Sequence, residues 1–287
     1  MSTGYLYEPL PEIGAGRRLH LNENTGGCSP AVLRAIARLT REDIAVYPAY
    51  ESARKACAEH LRVTPDQMLL TNGLDEGIMT VALGIVPRTG AWEALIVEPA
   101  YGMFGPSARL AGASLVRVAP PPDLRFDLDA VRGAITPATQ LVLLASPNNP
   151  TGVSIPGDDI RRLADAVPPG AAVFVDEAYA DFEGQSVVGD IARTPNLVVG
   201  RTFAKAYGLA GMRIGCLVAQ PPMIRRLRGA IAHFSVNVFA AAALEAALAD
   251  HGHVERYVTQ VRASRELIYD ACARLGLPFW RSAANFV

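Results

Sequence analysis

The chain alternates between short apolar runs and longer segments in which apolar residues recur every three or four positions. The short runs, bounded by Gly, Pro or polar residues, are typical of strands buried on both faces of a sheet. The longer segments are typical of amphipathic helices. Beyond Val86 the two kinds of segment alternate, which indicates βαβ units. Strands are predicted at residues 19–21, 69–70, 95–97, 115–118, 141–145, 173–175, 197–199 and 214–218.

Two helices outside this alternating region are also predicted from the pattern. Ser29 and Pro30 supply an N-cap and a first-turn proline, so a helix begins there. Its predicted apolar face consists of Val32, Leu33, Ile36 and Leu39. A long helix over residues 254–275 carries an apolar stripe that we expect to pack into the core. The stripe consists of Val254, Val258, Val261, Ile268, Cys272 and Leu275.

Composition narrows the classes of protein to which this chain can belong. Half of the residues are apolar and the net charge is −1, so no basic surface for nucleic acid or anionic membrane is indicated. No apolar run reaches the roughly 18 residues of a membrane span, and no targeting segment is recognisable. The four cysteines lack metal-site spacing and are expected to be reduced thiols in the cytoplasm. His251 and His253 are predicted to lie in a polar loop as solvated side chains.

Lys205 is unusual because the chain contains only one other lysine, Lys55, among its 27 basic residues. A single lysine is more often a solvated surface group than a functional one. However, a lysine amine can lose its proton and act as a nucleophile, whereas a guanidinium cannot. The glycine-rich sequence that follows Lys205 indicates sharp turns and close packing. Lys205 is therefore a candidate for carbonyl chemistry.

Four motifs in the same order and spacing carry a family resemblance. The pattern around the lysine is T-x-x-K-x-x-x-L-x-G-x-R-x-G, and the others are EPAYGMF, SPNNPTG and DEAY. Together they resemble the pyridoxal-phosphate-dependent aminotransferases of fold type I, and most of all the histidinol-phosphate aminotransferase branch. The resemblance covers nearly the whole chain.

The resemblance implies a three-layer α/β/α large domain with a mostly parallel central sheet. Residues 1–28 would be an N-terminal arm, residues 29–275 the cofactor-binding large domain, and residues 276–287 the start of a small C-terminal domain. Residues 284–287 have the pattern of an apolar strand, which would open that second domain. We therefore expect the chain to be truncated, with the arginine that grips the substrate carboxylate in this family lying beyond Val287.

The resemblance also implies roles for the residues that would act on pyridoxal 5′-phosphate. Lys205 would hold the cofactor and move the substrate proton, and Asp176 would pair with the ring nitrogen. Asn149 and Tyr179 would bond the ring oxygen, and Tyr101 would stack on the ring. Each has a plainer interpretation: Asp176 could cap the next element, Asn149 could belong to a turn, and Tyr101 could be ordinary interior packing.

A second group of residues would bind the cofactor phosphate. Arg213 and Thr202 would contact it with their side chains, and Gly73, Leu74 and Asp75 would offer backbone N–H groups at a helix start. A plain helix cap would equally explain that glycine. Tyr47 would reach the cofactor of the neighbouring subunit in a homodimer with shared active sites, although a turn tyrosine is an equally good interpretation.

The substrates implied by the resemblance are an amino donor of the histidinol-phosphate kind and a 2-oxo acid acceptor. One departure concerns Ala204, because the histidinol-phosphate branch usually carries serine there. A threonine-phosphate decarboxylase shares nearly all of these motifs and is an alternative. The motif L-N-E-N at residues 21–24, which resembles the family's N-terminal segment that folds over the active site, favours the aminotransferase. A non-catalytic fragment of the fold is another alternative.

Overall fold

The structure, a computed structural model, describes residues 18–87 and 90–287 of the chain. Most of the predicted arm, residues 1–17, lies outside the described residues. The described residues form one seven-stranded sheet with helices packed on it. The strands are β1 (Met68–Thr71), β2 (Glu93–Val97), β3 (Ser114–Val118), β4 (Thr139–Ala145), β5 (Ala172–Asp176), β6 (Leu197–Thr202) and β7 (Gly215–Ala219).

The sheet has the order β1-β7-β6-β5-β4-β2-β3, and its strands are parallel except for β7, which runs antiparallel to both neighbours. Strands β4, β5 and β6 are almost completely buried, which explains their continuous apolar sequences. The predicted α/β class with a mostly parallel sheet is confirmed. Since β4, β5 and β6 are parallel neighbours, the residues that follow them meet at one edge of the sheet.

Eleven α-helices occur among the described residues. They are α1 (Pro30–Ile36), α2 (Arg41–Ala45), α3 (Glu51–Leu61), α4 (Gly73–Gly84), α5 (Phe104–Leu110), α6 (Leu128–Gly133), α7 (Gly157–Ala166), α8 (Ala180–Glu183), α9 (Pro221–Leu227), α10 (Val238–Ala249) and α11 (His251–Leu275). Helix α4 packs on β6 and β7, α5 packs on β2 and β3, and α7 packs on β5, while α10 contacts α1 and α3. None of these described helices combines the length and hydropathy that a membrane crossing needs.

Two predictions near the beginning of the chain are wrong. Residues 19–21 form no strand. Leu19 is 82% exposed, and the Leu21 carbonyl accepts a hydrogen bond from the Lys205 side chain. Ser29 does cap α1, and its hydroxyl accepts a hydrogen bond from the Ala31 amide. However, α1 ends at Ile36, before Leu39, and Leu33 is 64% exposed, so the predicted apolar face reduces mainly to Val32.

The C-terminal predictions need three corrections. Helix α11 buries Val258 and Tyr269, but Ile268 and Leu275 of the predicted stripe are exposed. His251 and His253 lie in the first turn of this helix and not in a loop. Residues 284–287 form no strand, although Ala284 is fully buried. The predicted division into arm, large domain and beginning of a second domain stays a prediction.

Candidate active site

A cleft with a volume of about 330 Å³ lies at the sheet edge where β4, β5 and β6 end. This volume is within the range of small-molecule sites. Sequence reasoning predicted most of its lining, and every predicted site residue lines it except Gly73 and Tyr47. The predicted residues that line the cleft are Leu74, Asp75, Tyr101, Asn149, Asp176, Tyr179, Thr202, Lys205 and Arg213.

Lys205 follows β6 in a series of tight bends, and its amine points into the cleft. Its Nζ donates a hydrogen bond to the backbone carbonyl of Leu21, at 2.8 Å. Burial lowers the pKa of this amine below its ordinary value of 10.5, while the carboxylates of Asp176, Glu23 and Asp75 act in the opposite direction. A lysine in such surroundings is closer to a usable nucleophile than one in water.

Asp176 is the last residue of β5 and is 5% exposed. One carboxylate oxygen accepts a hydrogen bond from the Ala178 amide at 2.8 Å. Burial is the largest cause that raises the pKa of this carboxyl from 3.8 to about 7, and the nearby Asp75 acts in the same direction. Asp176 is thus a buried acid that would gain from a cationic N–H partner in the cleft.

Behind Asp176 lies a buried ion cluster formed by Arg201, Glu177 and Asp181. Arg201, on β6, donates to Glu177 at 3.1 Å and to Asp181 at 2.7 Å. Glu177 follows β5, and it also accepts hydrogen bonds from the Ser186 hydroxyl and the Val187 amide. The cluster therefore joins the end of β5, which carries Asp176, to the end of β6.

Tyr179 and Asn149 come together as predicted. The Asn149 amide nitrogen lies 3.4 Å from the Tyr179 hydroxyl oxygen, and the Asn22 amide nitrogen lies 3.2 Å from the same atom. Burial raises the pKa of Tyr179 to about 12, against the effect of the two amide donors. The phenol is therefore a neutral hydrogen-bonding group at neutral pH.

At the other end of the cleft, the start of α4 meets Arg213, whose charge is paired with the Asp75 carboxylate. The Arg213 guanidinium donates to Asp75 at 3.2 Å, and the Tyr101 hydroxyl donates to the same carboxylate at 2.8 Å. Gly73 has a φ of +73°, and a Cβ atom there would lie 2.5 Å from Arg213 Nη2. Glycine is thus required for Arg213 to cross the helix N-terminus at this distance.

Thr202 lines the cleft, as predicted, whereas Tyr47 lies outside it. Thr202 is buried at the end of β6, where its hydroxyl accepts a hydrogen bond from the Ala204 amide, and it lines the cleft. Tyr47 is 78% exposed and stacks on Phe234, with ring centroids 4.4 Å apart. Within this chain, Tyr47 is not part of the cleft lining.

Sequence reasoning did not identify the individual residues of the N-terminal segment that line the cleft. His20, Leu21 and Asn22 cover the cleft from a segment without regular structure. Leu21 contributes through its backbone carbonyl, which no sequence pattern indicates. The motif L-N-E-N at residues 21–24 was the available signal, but it did not identify Asn22 as a partner of Tyr179.

Comparisons with known proteins agree with this arrangement. The family model for "Aminotransferase class I and II" matches residues 17–287. The chain is 36% identical to "Histidinol-phosphate aminotransferase 2" of Ralstonia nicotianae over 277 residues, which cover 94% of this chain and 73% of the relative. A histidinol-phosphate aminotransferase of Symbiobacterium thermophilum is also 36% identical, with 94% and 75% covered.

Solved structures give the same result. The crystal structure of histidinol-phosphate aminotransferase from Sinorhizobium meliloti in complex with pyridoxal-5′-phosphate matches with a TM-score of 0.83 and 29% identity, over 92% of this chain and 72% of that chain. The crystal structure of "Putative histidinol-phosphate aminotransferase" from Erwinia carotovora atroseptica matches with a TM-score of 0.82 and 27% identity, over 92% of this chain and 78% of that chain. The family model and these relatives, which agree with a partly buried lysine, a buried acid and an arginine at a helix start in one cleft, show that the chain belongs to the class I and II aminotransferases.

Proposed function

We propose that this chain is a pyridoxal-phosphate-dependent aminotransferase that acts on histidinol phosphate with a 2-oxo acid such as 2-oxoglutarate as acceptor. The observation that carries the proposal is the position of Lys205, whose partly desolvated amine shares one cleft with the buried acid Asp176. Two kinds of finding support it: the family assignment and the names of the curated relatives.

The cleft fits the cofactor at its phosphate end. The first turn of α4 offers backbone N–H groups without a side-chain cap, and the Arg213 guanidinium lies over Gly73 at the same end of the cleft. Helix N-termini and arginine forks both favour phosphate oxygens. Thr202 and the backbone of Leu74 and Asp75 would complete the contacts.

The cleft also fits the ring of the cofactor. The Asp176 carboxylate would accept a hydrogen bond from the pyridinium N–H, and this pairing would lower the pKa of its carboxyl back toward the ordinary range. Tyr179 and Asn149 would hold the ring oxygen, and Tyr101, fixed by its hydrogen bond to Asp75, would form one wall.

When bound, pyridoxal phosphate supplies an aldehyde and an electron-withdrawing ring that stabilises negative charge at the substrate α-carbon. Lys205 would hold that aldehyde through its amine, and the freed amine would then take the proton from the substrate α-carbon and deliver it to C4′ of the cofactor, which is the shift that transamination requires. Asp176 would keep the ring nitrogen protonated. His20, Leu21 and Asn22 would restrict the access of water from above.

The substrate assignment comes from the relatives' names, because both curated relatives described above are histidinol-phosphate aminotransferases. Such a reaction belongs to amino-acid biosynthesis. Ala204 lines the cleft where serine is usual in this branch. Since a methyl group cannot donate a hydrogen bond, we expect phosphate binding to rely on Thr202 and Arg213 instead.

We also propose a homodimer that works in the cytoplasm. Tyr47 and Phe234 form an exposed aromatic pair outside the cleft, and Ile44 and Val46, close to Tyr47 in sequence, are also exposed. Exposed apolar groups of this kind favour a protein interface. The four cysteines, all without disulfide bonds, are consistent with a reducing compartment.

Reductive labelling tests the lysine assignment directly. The protein is loaded with pyridoxal phosphate, reduced with borohydride and mapped by mass spectrometry. We expect the label at Lys205 in the wild type and in the matched control Lys55→Arg, and no label in Lys205→Ala. A label on Lys55 alone would overturn the assignment.

A second measurement tests the reaction. With 2-oxoglutarate present, glutamate formation from histidinol phosphate is compared with formation from histidinol, which lacks the phosphate. We expect a large preference for the phosphorylated donor. Release of carbon dioxide from threonine phosphate without glutamate formation would instead identify a decarboxylase.

A further inference from the structure

Asn22 occupies a position that its motif alone did not explain. It lies in the irregular segment over the cleft, with a backbone φ of 55° in the left-handed region. Its side-chain nitrogen lies 3.2 Å from the Tyr179 hydroxyl, although the two residues are 157 positions apart in sequence. Asparagine tolerates this backbone conformation better than most residues.

The backbone at this position is held from two sides. The Asn285 side chain donates to the Asn22 carbonyl at 2.9 Å, and in the cofactor-free protein Lys205 also donates to the preceding carbonyl, that of Leu21, at 2.8 Å. One residue beyond Glu23, the Asn24 amide donates to the carbonyl of Ala206. The Asn22 side chain is therefore presented to Tyr179 by a fixed backbone.

The Tyr179 ring is equally confined. It is 4% exposed, and the Phe286 ring packs edge-on against it with centroids 5.3 Å apart and an interplanar angle of 89°. With the ring fixed, the remaining freedom is the rotation of the hydroxyl hydrogen. That rotation is decided by the groups around the oxygen.

Two amide nitrogens, from Asn22 and Asn149, donate to this oxygen. A phenol oxygen has two acceptor positions and one hydrogen to donate. Because both acceptor positions are used by amides, the hydrogen is directed to a third partner, and Tyr179 lines the cleft. Donors to a hydroxyl oxygen also polarise its O–H bond and make it a better donor.

We propose that Asn22 is a positioning residue that directs the Tyr179 hydroxyl hydrogen into the cleft, toward an oxyanion on the bound ligand. The inference deepens the proposed function, on which it rests for the identity of that oxyanion, the ring oxygen of the cofactor. It assigns to the N-terminal segment a chemical task in addition to covering the site.

Asn22→Gly is the suitable variant because glycine keeps the left-handed backbone and the carbonyl that Asn285 contacts, and removes only the amide side chain. In the pyridoxal-phosphate-loaded protein, the visible absorbance changes with pH. Donation by Tyr179 stabilises the more negatively charged, deprotonated form of the chromophore. We expect Asn22→Gly to raise the pH midpoint by about 0.3 to 1 unit, the size of one hydrogen bond.

A double-mutant cycle separates positioning from general loosening of the segment. In a Tyr179→Phe background, which lacks the hydroxyl, Asn22→Gly is expected to cause no shift. An equal shift in both backgrounds, or no shift in the wild-type background, overturns the proposal.

A second measurement tests the contact between Asn22 and the Tyr179 hydroxyl in the cofactor-free protein. Trifluorotyrosine placed at position 179 brings the phenol titration into an accessible pH range, and fluorine NMR follows it in the cofactor-free protein. Loss of the Asn22 donor should raise the midpoint by a similar amount; an unchanged midpoint contradicts the assignment. If the wild type carries no label at Lys205, the proposed function fails, and this cofactor-free titration still tests the role of Asn22.

Discussion

At the scale of single residues, the site depends on groups whose surroundings change their ordinary chemistry. Lys205 and Asp176 are opposite cases: burial makes the amine easier to deprotonate and the carboxyl harder to deprotonate. The two shifts would be reversed in part by a cofactor that accepts the amine and offers a cationic N–H. The cofactor-free protein therefore holds polar groups whose best partners belong to the ligand.

Asp176→Asn should stabilise the cofactor-free protein, and more so at higher pH. The folded-state pKa of about 7 lies above the ordinary 3.8, so the stability that the neutral form confers is fully present below 3.8 and is lost as pH rises through 7. The amide in the variant does not ionise, so its free energy of unfolding does not fall for this reason as pH rises. We expect its advantage in the free energy of unfolding to grow by about 2 to 3 kcal/mol between about pH 5 and pH 8.

Urea denaturation of both proteins at the two pH values measures this difference. Loading with pyridoxal phosphate provides the control, because the wild type should then gain more stability than the variant. An advantage that is constant with pH would mean that Asp176 is ionised in the folded protein at both values.

At the scale of elements, the cleft is formed where strand ends and a helix start converge, and two contacts fix their relative positions. One is the close approach of Arg213 to Gly73 at the start of α4. The other is the buried ion cluster between the end of β6 and the residues after β5. Each of these two contacts leads to a prediction of what happens when a substitution disrupts it.

Gly73→Ala should weaken binding of the phosphate group. The new Cβ atom would lie 2.5 Å from Arg213 Nη2, on a backbone with positive φ, so the guanidinium must move away. Loss of one charge-assisted contact corresponds to about 10- to 100-fold in affinity.

Equilibrium binding of pyridoxal phosphate and of pyridoxal, which lacks the phosphate, measures the effect. Only the phosphorylated ligand should bind more weakly. Gly211→Ala is the matched control, because a Cβ atom there meets nothing within 4 Å. Equal weakening of both ligands would point to general damage of the cleft.

Arg201→Met should destabilise the fold by about 3 to 5 kcal/mol, since it leaves the buried Glu177 carboxylate and the partly buried Asp181 carboxylate without their cation. Adding Glu177→Gln should recover part of that loss. The free energy of unfolding in urea is the measurement, and Arg193→Met, at an exposed arginine, is the control, with an expected change of less than about 0.5 kcal/mol. A small effect of Arg201→Met would mean that water reaches the cluster.

The elements also show what the sequence could and could not predict. Strands β4, β5 and β6 were predictable because burial on both faces requires continuous apolar runs. The face of α1 was not, because Leu33 has an apolar position in the helical pattern but is 64% exposed among the described residues. For the five-residue α2, periodicity has too few positions to act on; its signal is the capping box of Thr40 and Asp43.

At the scale of the whole molecule, the reactive side chains were easier to predict than the contacts of the segment that covers the cleft. Residues such as Lys205 and Asp176 were identified because their residue types and motifs are specific. The L-N-E-N motif indicated that the N-terminal segment folds over the cleft. The contacts that hold this segment were not predicted, because they depend on backbone carbonyls and on Asn285, which lies far from Asn22 in sequence. Long-range contacts between irregular segments leave no periodic trace.

Shared active sites are the prediction that belongs to the molecule as a dimer. Tyr47 is exposed and outside the cleft of its own chain, so a role at a cofactor requires a second copy. A mixture of Lys205→Ala chains, which lack the amine, and Tyr47→Phe chains, which lack the hydroxyl, tests this. In each mixed dimer, one site would combine the intact Lys205 of one chain with the intact Tyr47 of the other. If the chains exchange at random, about a quarter of all sites should regain full activity.

Differently tagged chains allow the mixed dimer to be purified, and its transaminase rate is compared with those of the two parent dimers. We expect the rate of the mixed dimer to exceed the mean of the parents, because neither parent contains a complete site. A rate equal to that mean, in a mixed dimer shown to be intact, would mean that each site is built from a single chain and that Tyr47 only stabilises the interface.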